Sequence, residues 1–408
     1  MKFETRAIHV GMGLHNPSSS VVPPISPSTI FEIDAEGRKE DDLHYTRLGN
    51  PNRLQFEAVV ASLEGGVAAA AFASGIAAAT AVMQCLEPGD HVLLPEDVYA
   101  GNRKMVRGLM ERWNLDAEFV DMTDVGRVAE RIRGDEGALG DGDVRVDGGA
   151  SGVGNVRGDR ERGRDGSHSG QTKLIWMETP SNPLMQITDV RAVCELAKAH
   201  GIRTLVDNTW PTPVNQRPLE LGTDLVLHST SKYFGGHSDL LGGAIVVREQ
   251  DAFYERLTMV QKMGGAVPSP HDCWMLSRST RSLAVRMRAH NEHAMAVAQF
   301  LEGHKRVKQV FYPGLPSHPG YEIAKSQMDG FGGMISFLID GGERESVEIV
   351  GRSRLIQRAT SLGGVESTWE HRRSSEGEGS VSPDNLIRLS VGLEHPDDLI
   401  EDLALALG

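Results

Sequence analysis

A chain of 408 residues is long enough for two packed domains with a buried site. Its 39% hydrophobic and 24% charged content is that of an ordinary soluble globular protein, and its net charge of -14 excludes broad binding to a polyanion while leaving room for a local phosphate pocket. No run approaches the ~18 apolar residues of a membrane span, and Met1-Lys2-Phe3-Glu4-Thr5-Arg6 lacks the apolar stretch of a signal peptide, so a cytoplasmic protein is expected.

Residues 1–60 are polar and irregular, with Pro23, Pro24 and Pro27 close together, and are predicted to form an extended arm contacting a partner subunit. From 61 to 250, Ala-rich helical stretches alternate with the apolar strands His91-Val92-Leu93-Leu94, Leu174-Ile175-Trp176-Met177, Thr204-Leu205-Val206, Asp224-Leu225-Val226-Leu227 and Ala244-Ile245-Val246-Val247. That alternation predicts an α/β domain around a mostly parallel sheet. Residues 251–408 turn helical and then offer strands at Gly333-Met334-Ile335-Ser336-Phe337-Leu338 and Leu386-Ile387-Arg388-Leu389-Ser390, the pattern of a smaller α+β domain. Residues 134–170 are about one-third Gly and nearly devoid of large apolar side chains, which predicts a disordered surface insertion. Its Asp141, Asp143 and Asp147 do not make a calcium loop, because Arg145 stands where an oxygen ligand is needed. Gly152, Gly154 and Gly158 miss the dinucleotide-binding spacing by one residue, and no strand precedes them. Cys85, Cys194 and Cys273 are odd in number and widely spaced, so they read as buried free thiols, and no metal site is expected.

Open α/β sheets bind ligands beyond the C-terminal ends of their strands, and small or polar residues follow each predicted strand here. Ala73-Ser74-Gly75-Ile76 opens an Ala-rich helix whose first N–H groups suit a phosphate, although a plain N-cap by Ser74 accounts for the same residues without a ligand. Asp207-Asn208-Thr209 leaves a carboxylate at a strand end, where it needs a cation or hydrogen bonds to offset desolvation; a protonated ring nitrogen would serve. In His228-Ser229-Thr230-Ser231-Lys232-Tyr233-Phe234-Gly235-Gly236-His237 a lysine stands among hydroxyls and glycines after the next strand, offering an amine for an aldehyde and hydroxyls for its phosphate.

These residues, together with Tyr45-Thr46-Arg47-Leu48-Gly49-Asn50-Pro51, Glu178-Thr179-Pro180-Ser181-Asn182-Pro183, Ser361-Leu362-Gly363-Gly364 and Arg388-Leu389-Ser390-Val391-Gly392-Leu393-Glu394, resemble the Cys/Met-metabolism family of pyridoxal-phosphate enzymes over nearly the whole chain. The resemblance implies a fold-type I, aminotransferase-like architecture with pyridoxal 5'-phosphate as cofactor, and a homotetramer built from two dimers with shared sites. It implies Lys232 as the Schiff-base lysine, Asp207 at the pyridine nitrogen, Thr209 as a further cofactor-binding residue, and Tyr99 stacked on the ring and handling protons near the leaving group. The phosphate falls to Gly75, Ile76, Ser229 and Ser231, with Tyr45 and Arg47 reaching over from a neighbouring subunit; Ser74 is a further cofactor-binding residue, and Asn182 lies near the ring's 3-hydroxyl. Arg388 would grip the substrate α-carboxylate, with Ser361 and Leu362 in the same pocket and Glu366 facing the distal end of the substrate.

Three departures stand out. Ala100 and Ser231 replace the family's usual glycine and threonine, and the stretch from Thr368 to Asp384 is shorter and more basic than the corresponding loop of well-known γ-lyases. The activity this implies is γ-replacement or γ-elimination on cystathionine or an O-acylhomoserine, with Lys232 as general base. Cystathionine β-elimination and γ-substitution by a carbon nucleophile in a specialised pathway are the alternatives. A nicotinamide dehydrogenase would need a glycine fingerprint after its first strand, which is missing. A non-catalytic relative would be expected to lose Lys232, which is present.

Overall fold

The structure, a computed structural model, describes residues 1–36, 43–137 and 170–408. Seven strands form the larger sheet: β1 (Ala68–Phe72), β2 (His91–Pro95), β3 (Asp116–Val120), β4 (Thr172–Glu178), β5 (Arg203–Asp207), β6 (Leu225–His228) and β7 (Gly243–Val247). Their order is β1-β7-β6-β5-β4-β2-β3, parallel from β6 through β3, with β7 antiparallel to both of its neighbours. The inner strands are apolar along their length because both faces are covered: Trp176, Leu205 and Leu227 pack on one side, Ile175, Met177 and Val206 on the other. β3 is the exception, only partly buried and carrying Asp116 and Glu118, as suits an edge strand.

A second sheet has five strands, β8 (Val307–Phe311), β9 (Met334–Ile339), β10 (Gln357–Arg358), β11 (Thr368–His371) and β12 (Leu386–Ser390), in the order β10-β11-β12-β9-β8. Trp369, Phe337 and Leu389 join residues of the helices Leu283–Glu302 and Pro396–Leu407 in its core. The first 60 residues are more structured than an irregular arm. Phe3–His9 is helical, and Pro51–Glu64 is a largely buried helix capped by the Asn50 side chain, started by Pro51 and ended by Gly65 at φ 76. Between these helices the described chain is irregular, with turns near residues 10–18 and 43–48 and one bridge pairing Ile30 and Tyr45. The helix Val125–Gly137 runs four residues into the predicted insertion, whose positions 138–169 lie outside the described residues. Cys85, Cys194 and Cys273 are free and buried. Among the described residues no helix is long and apolar enough to cross a membrane.

Candidate active site

The parallel strands end side by side, and the residues at and just past those ends build the site. Asp207 closes β5, directly opposite Glu178 at the end of β4. Thr209 donates its hydroxyl and its N–H to Asp207 Oδ1, at 2.5 and 3.1 Å, and its hydroxyl oxygen accepts from the N–H of Ser229 at 2.9 Å, so one threonine ties the floor to the β6 turn. Glu178 accepts from the N–H of Tyr99 at 2.9 Å. Burial pushes both carboxyls up, and burial together with repulsion from Asp207 puts Glu178 well above its usual range. With two hydrogen bonds to its charge, Asp207 is the better anion; Glu178, with one such bond and Asp97 as a further acidic neighbour, is the more strongly raised of the two. Asp97 itself, on the same edge, is pushed up to about 6 by burial.

Ser74 caps the helix Gly75–Met83 by accepting from the N–H of Ala77, leaving the amides of Gly75 and Ile76 at the start of the helix beside Ser229. The approach is close: a Cβ on Gly75 would stand 2.7 Å from Ser229 Cβ. The Ser231 hydroxyl is engaged in both directions with Gly242, donating to its carbonyl (3.2 Å) and accepting from its N–H (3.0 Å). Lys232 Nζ donates to Ser361 Oγ at 2.5 Å, and Ser361 holds the left-handed φ of 89 that this placement requires. Burial, with the cations Arg388 and Arg372 nearby, pushes Lys232 down to about 8.

Arg388, on β12, donates to Asn182 Oδ1 at 3.0 Å, to the Ser361 carbonyl at 3.3 Å and to Glu370 at 2.5 Å. Leu362 is buried in the core cluster that contains Tyr233. Glu366 is exposed, its carboxylate beside Gly364. Tyr99 is 44% exposed at the start of the helix Ala100–Met105.

Related chains bear on the family and the fold. The sequence matches the family described as Cys/Met metabolism PLP-dependent enzyme over residues 4–138 and 159–408. A cystathionine gamma-synthase of Mycobacterium leprae is 40% identical over 99% of this chain and 96% of its own length. A cystathionine beta-lyase of Coxiella burnetii is 38% identical over 99% and 97%. The crystal structure of metB from Corynebacterium glutamicum superposes with a TM-score of 0.88 at 36% identity, covering 100% of this chain and 98% of that one. The chain belongs to the Cys/Met-metabolism family of pyridoxal-phosphate enzymes. Its fold is the family's fold type I, its cofactor is pyridoxal 5'-phosphate, and positions 139–158 fall outside the family match.

The residues present fit that cofactor. Asp207 and Glu178 form a buried acidic floor whose raised carboxyls lack a paired cation among the described residues, and a protonated pyridine nitrogen would supply one. The cradle of Gly75, Ile76 and Ser229 has N–H and hydroxyl donors at a helix N-terminus, suited to a phosphate. Lys232 is a half-buried amine with a depressed pKa, suited to an aldehyde. Ser74, Gly75, Ile76, Thr209, Ser229, Lys232, Asp207 and Asn182 therefore collect along the strand edge where sequence reasoning put them, whereas Tyr45 and Arg47 belong elsewhere in the chain: Arg47 donates to the Lys262 carbonyl at 2.5 Å and stacks on Tyr45 at 5.5 Å. Sequence reasoning gave Glu178 a place in a motif but no role of its own, and it missed Glu370 and Arg372. The signal for Glu178 was available, since its strand and that of Asp207 both end in an acid.

Proposed function

We propose that this enzyme performs γ-replacement or γ-elimination on a homoserine-type amino acid, cystathionine or an O-acylhomoserine. The observation that carries the reading is Ser361, whose hydroxyl holds the Lys232 amine while its carbonyl holds the Arg388 guanidinium. An amino acid docked by its carboxylate on Arg388 then presents its α-carbon to Lys232. Bound pyridoxal phosphate supplies the electron sink for proton removal at that carbon. Lys232, neutral above about pH 8, would take the α-proton, pass it on and then take a β-proton, while Asp207, with two hydrogen bonds from Thr209 to its charge, would hold a positive charge on the ring nitrogen. Tyr99, partly exposed, would manage protons as the γ-substituent departs. Glu366, exposed beside Gly364, faces the distal end of the substrate. A thiolate adding at the vacated γ-carbon, with protons returned to the β- and α-carbons by Lys232, completes replacement; water and loss of ammonia complete elimination to a 2-oxoacid.

The name of the Coxiella burnetii relative favours a second reading, β-elimination of cystathionine. Incubating holoenzyme with cystathionine, O-acetylhomoserine and O-succinylhomoserine, with mass detection of all products, separates the two. Cysteine and 2-oxobutanoate from cystathionine, or γ-substituted products from the esters, support γ chemistry; homocysteine and pyruvate alone overturn it.

The same reading makes the enzyme a cytoplasmic homotetramer of two dimers with shared sites. Three buried free thiols suit a reducing compartment. Val21, Val22, Ile25, Ile30 and Ile33 are exposed in the same N-terminal part of the chain as Tyr45 and Arg47, as suits a segment lying on another subunit. Mixing dissociated Arg47→Ala and Lys232→Ala chains tests it, since random pairing makes about half of the dimers mixed, each with one intact site, and restores roughly a quarter of wild-type sites. No recovery in verified mixed dimers means that the arm serves its own subunit.

A further inference from the structure

Arg388 is already engaged by a carboxylate of its own chain. Glu370 stands directly across the β11–β12 ladder from it, and Glu370 Oε1 accepts from Arg388 Nη2 at 2.5 Å. A docked substrate carboxylate would share that guanidinium with a fixed negative charge, and two carboxylates on one arginine repel each other. The same oxygen, Glu370 Oε1, also accepts from Arg372 Nη1 at 2.9 Å. Arg372 Nε donates to Glu376 at 2.9 Å, and Glu376 Oε2 in turn accepts from the Ser382 hydroxyl at 2.7 Å, so the second arginine is held from behind. All four charged side chains are at most 7% exposed. Burial acts to raise Glu370, yet Arg388 and Arg372 outweigh it and hold the carboxyl below its ordinary range.

We propose that Arg372 is a positioning residue for substrate recognition: by sharing Glu370 with Arg388, it leaves Arg388 able to accept the α-carboxylate of the incoming amino acid. Arg372 belongs to the short helix Arg372–Glu376, inside the stretch that departs most from the γ-lyase pattern, so the device is built by this chain's own loop. Without Arg372 the full charge of Glu370 falls on Arg388, and the pair becomes a closed, neutral unit. Without Glu370 there is nothing to share, and Arg372 ceases to matter for binding. Arg372 Nη2 makes none of the hydrogen bonds of this cluster, so the guanidinium is held through its other two nitrogens.

The inference rests on the reading that Arg388 takes the α-carboxylate, and the experiment separates the two. L-alanine, which has no γ-substituent to lose, is titrated into holoenzyme and its Kd read from the change in visible absorption, with cofactor content measured in parallel. Arg372→Gln should raise the Kd by about tenfold or more at unchanged cofactor content, with Arg372→Lys recovering part of the loss. Glu370→Gln should lower the Kd, and adding Arg372→Gln to it should change the Kd by less than about threefold. A wild-type Kd in Arg372→Gln, or a double variant as weak as Arg372→Gln alone, overturns the proposal. Should Arg372→Gln fail to fold, Glu370→Gln decides alone, and a raised Kd in it is the overturning result. Arg388→Ala is the control: wild-type binding there removes the α-carboxylate reading itself, whereas its loss beside an unaffected Arg372→Gln removes only the role of Arg372.

Discussion

Replacing Asp207 with asparagine keeps the shape of the site floor and removes its charge, and the structure predicts opposite effects on the apoprotein and the holoenzyme. In the apoprotein, burial raises the Asp207 carboxyl and the facing Glu178 is raised well above its usual range, so ionising Asp207 costs stability. A folded-state pKa above the unfolded value means that this cost is absent in acid, grows as pH rises through the carboxylate range and is complete above the folded pKa. Asp207→Asn apoprotein should therefore melt higher than wild type near neutral pH, with the gap closing as pH falls. The asparagine side-chain oxygen can still accept both Thr209 bonds, so the floor stays in place. In the holoenzyme the variant loses the anion facing the ring nitrogen. Breaking a buried ion pair from one side costs about 3–5 kcal/mol, which is roughly two to four powers of ten in cofactor affinity. Equilibrium dialysis against pyridoxal phosphate reads the affinity, and calorimetric melting of apoprotein across a pH series reads the stability. A variant that holds cofactor within about threefold of wild type, or an apoprotein that melts lower at neutral pH, would refute the assignment of Asp207 as the buried anion awaiting a cation.

Lys232→Ala should abolish turnover while circular dichroism and melting stay near wild type, because the amine is lost and the floor contacts remain. Capture of pyridoxal phosphate by apoprotein should speed up as pH rises through about 8 and level off above it, since burial and the nearby arginines lower the pH at which Lys232 becomes a neutral nucleophile; a midpoint above pH 10 in stopped-flow absorbance would contradict this. Gly75→Ala places a carbon 2.7 Å from Ser229 Cβ and 2.8 Å from its hydroxyl, so the helix start or the β6 turn must shift; a loss of about tenfold in cofactor affinity is expected, with about 1–3 kcal/mol of stability, measured by dialysis and urea melts. Deleting positions 139–158 removes only residues outside the family match, and kcat should stay within about a few-fold of wild type.

Much of this was determined by the sequence alone. Strands such as Leu174–Met177 and Ala244–Val247 are legible because burial on both faces demands unbroken apolar runs, and Lys232 and Asp207 are legible because each comes at or just after the end of such a run. What escaped depended on partners far along the chain. Ala68–Phe72 reads locally as helix, since alanine is the best helix former, yet it is a strand because Gly243–Val247 pairs with it and small side chains fit that place. Phe3–His9 is too short, with a single buried residue, to stand out as a helix in an otherwise polar stretch. The raised carboxyl of Glu178 depends on burial and on β4 and β5 ending in register, and the shared bond of Glu370 on β11 lying beside β12 with Arg388 opposite. Side-chain types are local, and the sequence displays them. The field that each charged group feels is set by strand register and burial, which arise when segments far apart in the chain are brought together.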